Sequence, residues 1–161
     1  QGAILSRPIR ENVTLSHLSG CSNLGVINRA QEVSIVERMK QSLKIKWGNY
    51  EDPIASLSGG NQQKVVIAKW LNTNCDFLIL DEPTRGVDVG ARKEIYQLIN
   101  QFKQQGLAII MVSSDMPELL GLSDRIMVMH QGQISAEFSR QQATQEKLLA
   151  AAVGKTQCEE C

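Results

Sequence analysis

Neither sign of charge dominates this chain. Its 17 basic and 17 acidic residues cancel, which removes the electrostatic case for nucleic acid or an anionic lipid surface. No apolar run approaches the roughly 20 residues of a membrane-spanning helix, and no basic start followed by an apolar segment suggests secretion. Histidine is scarce, with His17 and His130 standing alone. The four cysteines are Cys21, Cys75, Cys158 and Cys161, and only the last two are close, as Cys-Glu-Glu-Cys. Structural zinc asks for four ligands, and no second Cys or His pair stands at metal spacing. The expectation there is a solvated tail of reduced thiols, hence a reducing compartment. Gln1 in place of Met fits a processed or truncated chain.

A phosphate loop is missing too. Gly154-Lys155-Thr156 resembles the end of the GxxxxGK[ST] pattern, but the position of its first glycine is Leu149. The segment also follows a helical pattern rather than a strand, so Gly154 reads as a helix stop.

What is present suits one globular domain with a real core: 161 residues, 42% hydrophobic and 21% charged. Pro8 to Leu15 reads as a short helix with Glu11 near its positive end. Ser19 to Asn28, rich in Ser, Gly and Asn, reads as a loop. Ala30, Val33, Val36, Met39 and Leu43 recur at helical spacing, and Trp47 to Pro53 reads as a connection pinned by Ile54 and Leu57. Two adjacent glycines, Gly59 and Gly60, open a helix at about Gly60. Phe77 to Leu80 (FLIL) is a continuous apolar run, the pattern of a strand buried on both faces. A helix from about Val89 to Lys103 carries Ala91, Ile95, Leu98, Ile99 and Phe102 on one face. Gly106 ends it, and Leu107 to Val112 is a second apolar strand. Met116 to Leu122 reads as a short helix. Arg125–His130 and 133–138 read as strands joined at Gln131-Gly132. Ser139 and Gln142 suggest the cap of a last helix. Strands alternating with helices imply an α/β parallel sheet.

Two stretches carry candidate chemistry. Leu57 to Val65 reads LSGGNQQKV; glycines at a helix start let a phosphate approach backbone N–H groups and the positive dipole end. The same string also serves as an ordinary Ser-Gly-Gly turn. Asp81 and Glu82 follow the apolar strand directly, at the edge where open α/β sheets bind ligands. One carboxylate can hold Mg²⁺ through water and its neighbour can orient an attacking water; Asp and Glu before Pro83 are equally natural turn residues. Asp88 reads as a helix N-cap, as a residue reaching across a dimer interface, or as both.

LSGGNQQKV followed by FLILDEPTRGVDVG resembles the ATP-binding cassette ATPases: the first looks like their signature, the second like Walker B with its D-loop. DEPTRGVDVGAR, with the later VSSDMPELLGLSDRIMVMHQG, is similar to the tandem-cassette ATPases of bacterial monosaccharide importers of the ribose, xylose, arabinose and galactose type. The similarity is to their C-terminal cassette from about Gly2 to Lys155, and the ATQEKLLAAAVGK stretch is most similar to the ribose type. The resemblance implies a partial P-loop NTPase (RecA-like) parallel sheet with an N-terminal helical subdomain. Residues 1–56 would be that subdomain, 57–154 the C-terminal part of the nucleotide-binding domain, and 155–161 a tail. It implies ATP and Mg²⁺ as cofactors. Leu57, Ser58, Gly59, Gly60, Asn61 and Gln62 would face the γ-phosphate held by an opposite cassette, with Asp81 assisting Mg²⁺, Glu82 polarising the hydrolytic water and Asp88 in the D-loop. Ser114 takes the switch position where most such cassettes carry histidine, and a serine cannot serve as a charged or tautomeric switch.

The implied partners are a first, Walker A-bearing cassette, transmembrane permease subunits reached through coupling helices, and, indirectly, a periplasmic sugar-binding protein. The implied place is the cytoplasmic face of the bacterial inner membrane, as a peripheral protein. Because Walker A and the Q-loop precede Gln1 in that family, the strands here would lose a central neighbour and leave apolar edges open. Two other readings stand beside this one: an ABC-type ATPase of DNA repair or chromosome maintenance, and a non-catalytic truncated cassette acting as an interaction module. The first would bring long coiled-coil arms, zinc insertions and a basic surface, none of which is in the sequence.

Overall fold

The structure, a computed structural model, describes residues 2–154. The 155–161 tail, with Cys158 and Cys161, lies outside the described residues. Two compact units divide the chain between Ile110 and Met111.

In the first unit Pro8, extended at ψ 148°, is the N-cap of helix α1 (Ile9–Thr14). A proline fits there because the first helical N–H groups lack intrahelical partners. The later connection supplies partners: the N–H of Ile9 donates to Asp52 O at 3.0 Å and that of Arg10 to Tyr50 O at 3.1 Å. In return Ile54 N–H donates to Arg7 O at 3.1 Å, so the segment before Ser58 is laced to the start of α1. Ile54 itself is fully buried, as its place in the pattern suggests.

The expected loop from Ser19 to Asn28 is more ordered than its composition suggests. A 3-10 segment Leu15–Cys21, kinked at His17, runs into strand β1 (Ser22–Asn23), which pairs antiparallel with β2 (Val26–Ile27). Leu24 and Gly25 join them at φ 51° and 82°, the left-handed pair that matches strand twist in a two-residue hairpin. Strands this short carry no alternation to read, which is why composition alone gives a loop.

Helix α2 (Arg29–Ser42) follows, with Asn28 Oδ1 accepting from Gln31 N–H as its cap. Val36 and the following Leu43 are fully buried, but so is Glu32. Its carboxylate is met by Arg10 Nη1 at 3.2 Å, Arg29 Nη1 at 2.9 Å and Thr14 Oγ1 at 3.1 Å. Arg10 also donates from Nε to Glu51 at 2.9 Å and from Nη2 to Glu11 at 3.3 Å. Burial pushes the Arg10 pKa down, but the hydrogen bond to Glu51 and the charges of Glu32, Glu51 and Glu11 together hold it above its ordinary value.

Helix α3 (Gly59–Leu71) turns Val65, Ile67 and Ala68 inward. Strand β3 (Phe77–Asp81) then alternates, with Leu78 and Leu80 buried but Phe77 and Ile79 exposed by 47% and 60%. The expectation of a strand buried on both faces is thus corrected. A wholly apolar run says that either side can be covered, not that both are, and among the described residues only one side is. Helix α4 (Val89–Gln104) buries the stripe Ile95, Leu98, Ile99 and Phe102, and Gly106 at φ 90° ends the turn after it. The next strand, β4 (Ala108–Val112), is a hydrogen-bonded neighbour of β3. A sixteen-residue helix between neighbouring strands is the β–α–β connection of an α/β fold.

The second unit holds helix α5 (Met116–Leu122), the antiparallel strands β5 (Arg125–His130) and β6 (Gln133–Ser139), and helix α6 (Gln145–Ala152). The turn at Gln131 and Gly132, with φ 48° and 78°, falls where expected. Ser139 Oγ does bond Gln142 Oε1 at 2.8 Å, but the cap of α6 is Thr144, whose Oγ1 accepts from Lys147 N–H. The Ser139 motif closes a turn instead. His130 Nδ1 lies 2.8 Å from Ala152 O, so this histidine ties β5 to the end of α6.

Candidate functional site

The signature stretch forms the N-terminus of α3, and its residues divide between holding the tip and presenting it. Ser58 is the N-cap, with backbone φ −60° and ψ 153°, yet its side chain caps nothing. Every other α-helix of the described residues with Asn, Asp or Thr at that position uses the side chain as a cap: Asn28, Asp88, Asp115 and Thr144 each accept from an N–H three residues on. The Ser58 hydroxyl instead accepts from Asn61 Nδ2 at 3.0 Å. Gln62 turns back, its Nε2 donating to Leu57 O at 2.8 Å. Ser58 and Gly59 are exposed.

The two glycines have a packing reason that sequence reading did not supply. A Cβ on Gly60 would lie 2.4 Å from Ala91 Cβ, and one on Gly59 would lie 3.3 Å from Gly86 O. The start of α3 therefore sits directly on the segment that leads from β3 into α4. That segment is a run of turns: Arg85 N–H donates to Glu82 O at 3.1 Å and Val87 N–H to Thr84 O at 3.2 Å. Gly86 at φ 74° allows the second bend. Asp88 is the N-cap of α4, its Oδ1 accepting from Ala91 N–H at 2.9 Å, which realises the capping half of its two readings.

Lys64 locks the same junction further along. Its buried ammonium donates to Glu94 Oε2 at 2.6 Å and to Lys44 O at 3.2 Å, joining α3 to α4 and to the chain end of α2. The hydrogen bond from Lys64, reinforced by its charge, holds the Glu94 carboxyl below its ordinary pKa. The two residues are thirty positions apart in sequence, so no local pattern announces the pair.

Asp81, exposed, is the last residue of β3, and Glu82 follows half-buried with φ 47°. A non-glycine residue in the left-handed region costs of the order of 1–3 kcal/mol and clusters at functional sites. Among the described residues no group of three His, Cys, Asp or Glu could hold a metal. A single exposed carboxylate still fits Mg²⁺, which keeps several waters and takes phosphate oxygens for the rest of its shell. The first unit thus brings together Leu57 to Gln62 with Gly86 to Asp88, and it also contains Asp81 and Glu82. Ser114 belongs to the second unit, exposed between Ser113, which bonds Glu118, and Asp115, which caps α5. No described helix is long and apolar enough to cross a membrane.

Comparison with known proteins agrees with this geometry. Residues 6–85 match the family model described as ABC transporter. Over 154 residues the chain is 56% identical to the ribose import ATP-binding protein RbsA of Oceanobacillus iheyensis, covering 96% of this chain but 31% of that protein. Among solved structures, a dimeric ATP-binding cassette in a post-hydrolysis state with ADP and Pi superposes with a TM-score of 0.71 at 22% identity. That alignment covers 85% of this chain and 58% of the cassette. An inward-facing ABC transporter described as metal-chelate type reaches 0.76 at 16% identity, covering 93% and 59%. At such identities these structures speak for the fold alone, the α/β fold of P-loop NTPase cassettes. The chain spans about a third of its curated relative and under two thirds of the solved ones. On the identity to that relative, the family match and the fold, this chain belongs to the ABC transporter family of ATP-binding cassettes.

Proposed function

We propose that this chain is the C-terminal cassette region of the ATP-binding subunit of a bacterial monosaccharide importer, and that ribose is the sugar. The observation that carries the reading is the N-terminus of α3: an exposed Ser58 hydroxyl and uncapped helix N–H groups, in a chain 56% identical to a ribose import ATP-binding protein. Such an end attracts a phosphate through its dipole and donors. It lies open, so it serves a nucleotide whose phosphates are held by a second, Walker A-bearing cassette. Asp81 would help hold Mg²⁺, whose charge would screen the phosphates, and Glu82 at the end of β3 would polarise the attacking water. Asp88 keeps its cap and reaches the same interface. Residues 1–56 form the helical subdomain that receives coupling helices of the permease, with a periplasmic sugar-binding protein delivering the sugar. The protein would work as a peripheral subunit on the cytoplasmic membrane face.

ATP turnover by the complete assembled transporter tests this. Ser58→Arg places a bulky cation at the tip and should reduce ribose-dependent turnover at least about tenfold without changing the melting temperature. Residues 1–161 purified alone should turn over no ATP. Robust Mg²⁺-dependent hydrolysis by that piece, or wild-type turnover by the Ser58→Arg transporter, would refute the proposal.

A further inference from the structure

Asn61 stands third in α3, one turn from Ser58, and its two bonds settle more than its own position. Its Oδ1 accepts from Lys46 N–H at 2.9 Å, while its Nδ2 donates to Ser58 Oγ at 3.0 Å. A backbone N–H can only donate, so the end of the amide beside Lys46 must be the oxygen. The end beside Ser58 is then the NH₂. The Ser58 oxygen is thereby engaged as an acceptor, and its one proton is directed away from Asn61. Ser58 caps no helix N–H, so nothing within α3 competes for the orientation of its hydroxyl.

We propose that Asn61 is a positioning residue, held by the Lys46 amide, that fixes the Ser58 hydroxyl as an outward donor to an anionic phosphate oxygen. The inference rests on the function proposed above and deepens it by naming what prepares the Ser58 contact. A hydroxyl oriented in advance loses less entropy when the phosphate arrives. The amide also raises the hydroxyl's donor strength, since accepting one hydrogen bond polarises the O–H toward giving another. Asn61 acts through Ser58 and need not touch the nucleotide.

Asn61→Asp separates this role from a structural one, because the two predict different kinetics at equal or greater stability. An acid in the first turn of a helix is favourable to the dipole, so a purely structural Asn61 predicts an Asp variant of equal or greater stability and unchanged kinetics. A carboxylate cannot donate to Ser58 Oγ. It would draw the hydroxyl proton inward and add negative charge beside the phosphate. In the complete transporter, Asn61→Asp should raise the KM for ATP about tenfold, the loss of one hydrogen bond to a charged group, with an unchanged or higher melting temperature. Asn61→Ala supplies a second route through a double-mutant cycle. If Asn61 works through Ser58, Ser58→Ala/Asn61→Ala should be no worse than Ser58→Ala alone. A wild-type KM in Asn61→Asp, or Ala substitutions whose effects multiply, would overturn the proposal while leaving the proposed function standing. Wild-type kinetics in Ser58→Ala would overturn the proposed function at the tip, and this inference with it.

Discussion

Two polar clusters share the first unit and handle their hydrogen bonds in opposite ways. Around Arg10 the partners close inward: the guanidinium meets Glu32, Glu51 and Glu11, and Glu32 is met in turn by Arg29 and Thr14. At Ser58 the bonds run from Lys46 to Asn61 and from Asn61 to Ser58, which is exposed and gives the helix start no side-chain cap. Polar groups taken out of water need partners. The Arg10 cluster obeys that from its own side chains, whereas the Ser58 cluster stays exposed and keeps water, or a ligand, as its partner. Burial plus internal satisfaction marks scaffold; exposure plus an oriented but uncommitted donor marks a place prepared for something else.

Breaking the closed cluster should give the largest effect. Arg10→Met leaves the Glu32 carboxylate, 1% exposed, with only Arg29 as a charged partner. Stranding a buried charge costs about 3–5 kcal/mol, toward the lower figure here because Arg29 remains. Chemical denaturation should show the loss. A shift below about 1 kcal/mol, within the range of exposed ion pairs, would mean the cluster is solvated.

Gly60→Ala probes what stands behind the open cluster. The new methyl would meet Ala91 Cβ, and overpacking of this sort costs about 1–3 kcal/mol. The paired substitution Gly60→Ala/Ala91→Gly removes the collision and should recover most of the lost stability. Without recovery in thermal melts, contact with Ala91 is not what reserves the position for glycine.

The smallest effect is expected at Glu94. Its carboxyl is held below the ordinary value by Lys64, so the charged form contributes stability above the usual carboxylate range. That contribution fades as pH falls through the lowered folded value. Glu94→Gln mimics the protonated form but keeps an oxygen that can accept from the buried Lys64 ammonium, so its cost near neutrality should stay below those of the two changes above. Denaturation midpoints of wild type and variant should converge in acid; a gap that widens with falling pH would contradict the sign.

The sequence made some of this visible and left the rest hidden for physical reasons. Helix α4 could be read because one stripe of Ile95, Leu98, Ile99 and Phe102 serves one core. The Gln131-Gly132 turn could be read because left-handed backbone has few candidates. The two motifs of the site were legible as strings, and their spacing identified the family. The Arg10–Glu32 and Lys64–Glu94 pairs were not, since charges of opposite sign twenty or thirty residues apart have countless alternative pairings until the helices are placed. Gly60 carried a misleading signal: its lack of a Cβ suggests approach by a ligand, and the structure also uses it for approach by Ala91. The Asn61 relay depends on a backbone N–H from Lys46, which no side-chain pattern can reveal.

Glu82 sits at φ 47°, a conformation that glycine or asparagine would hold at less cost. Two selections on a library randomised at this position would therefore part ways. One run on heat resistance alone would drift toward Gly or Asn. On the role proposed for Glu82, a run on ATP turnover by the assembled protein would retain the acid, so sequences enriched for robustness would accumulate here a substitution that the turnover selection discards.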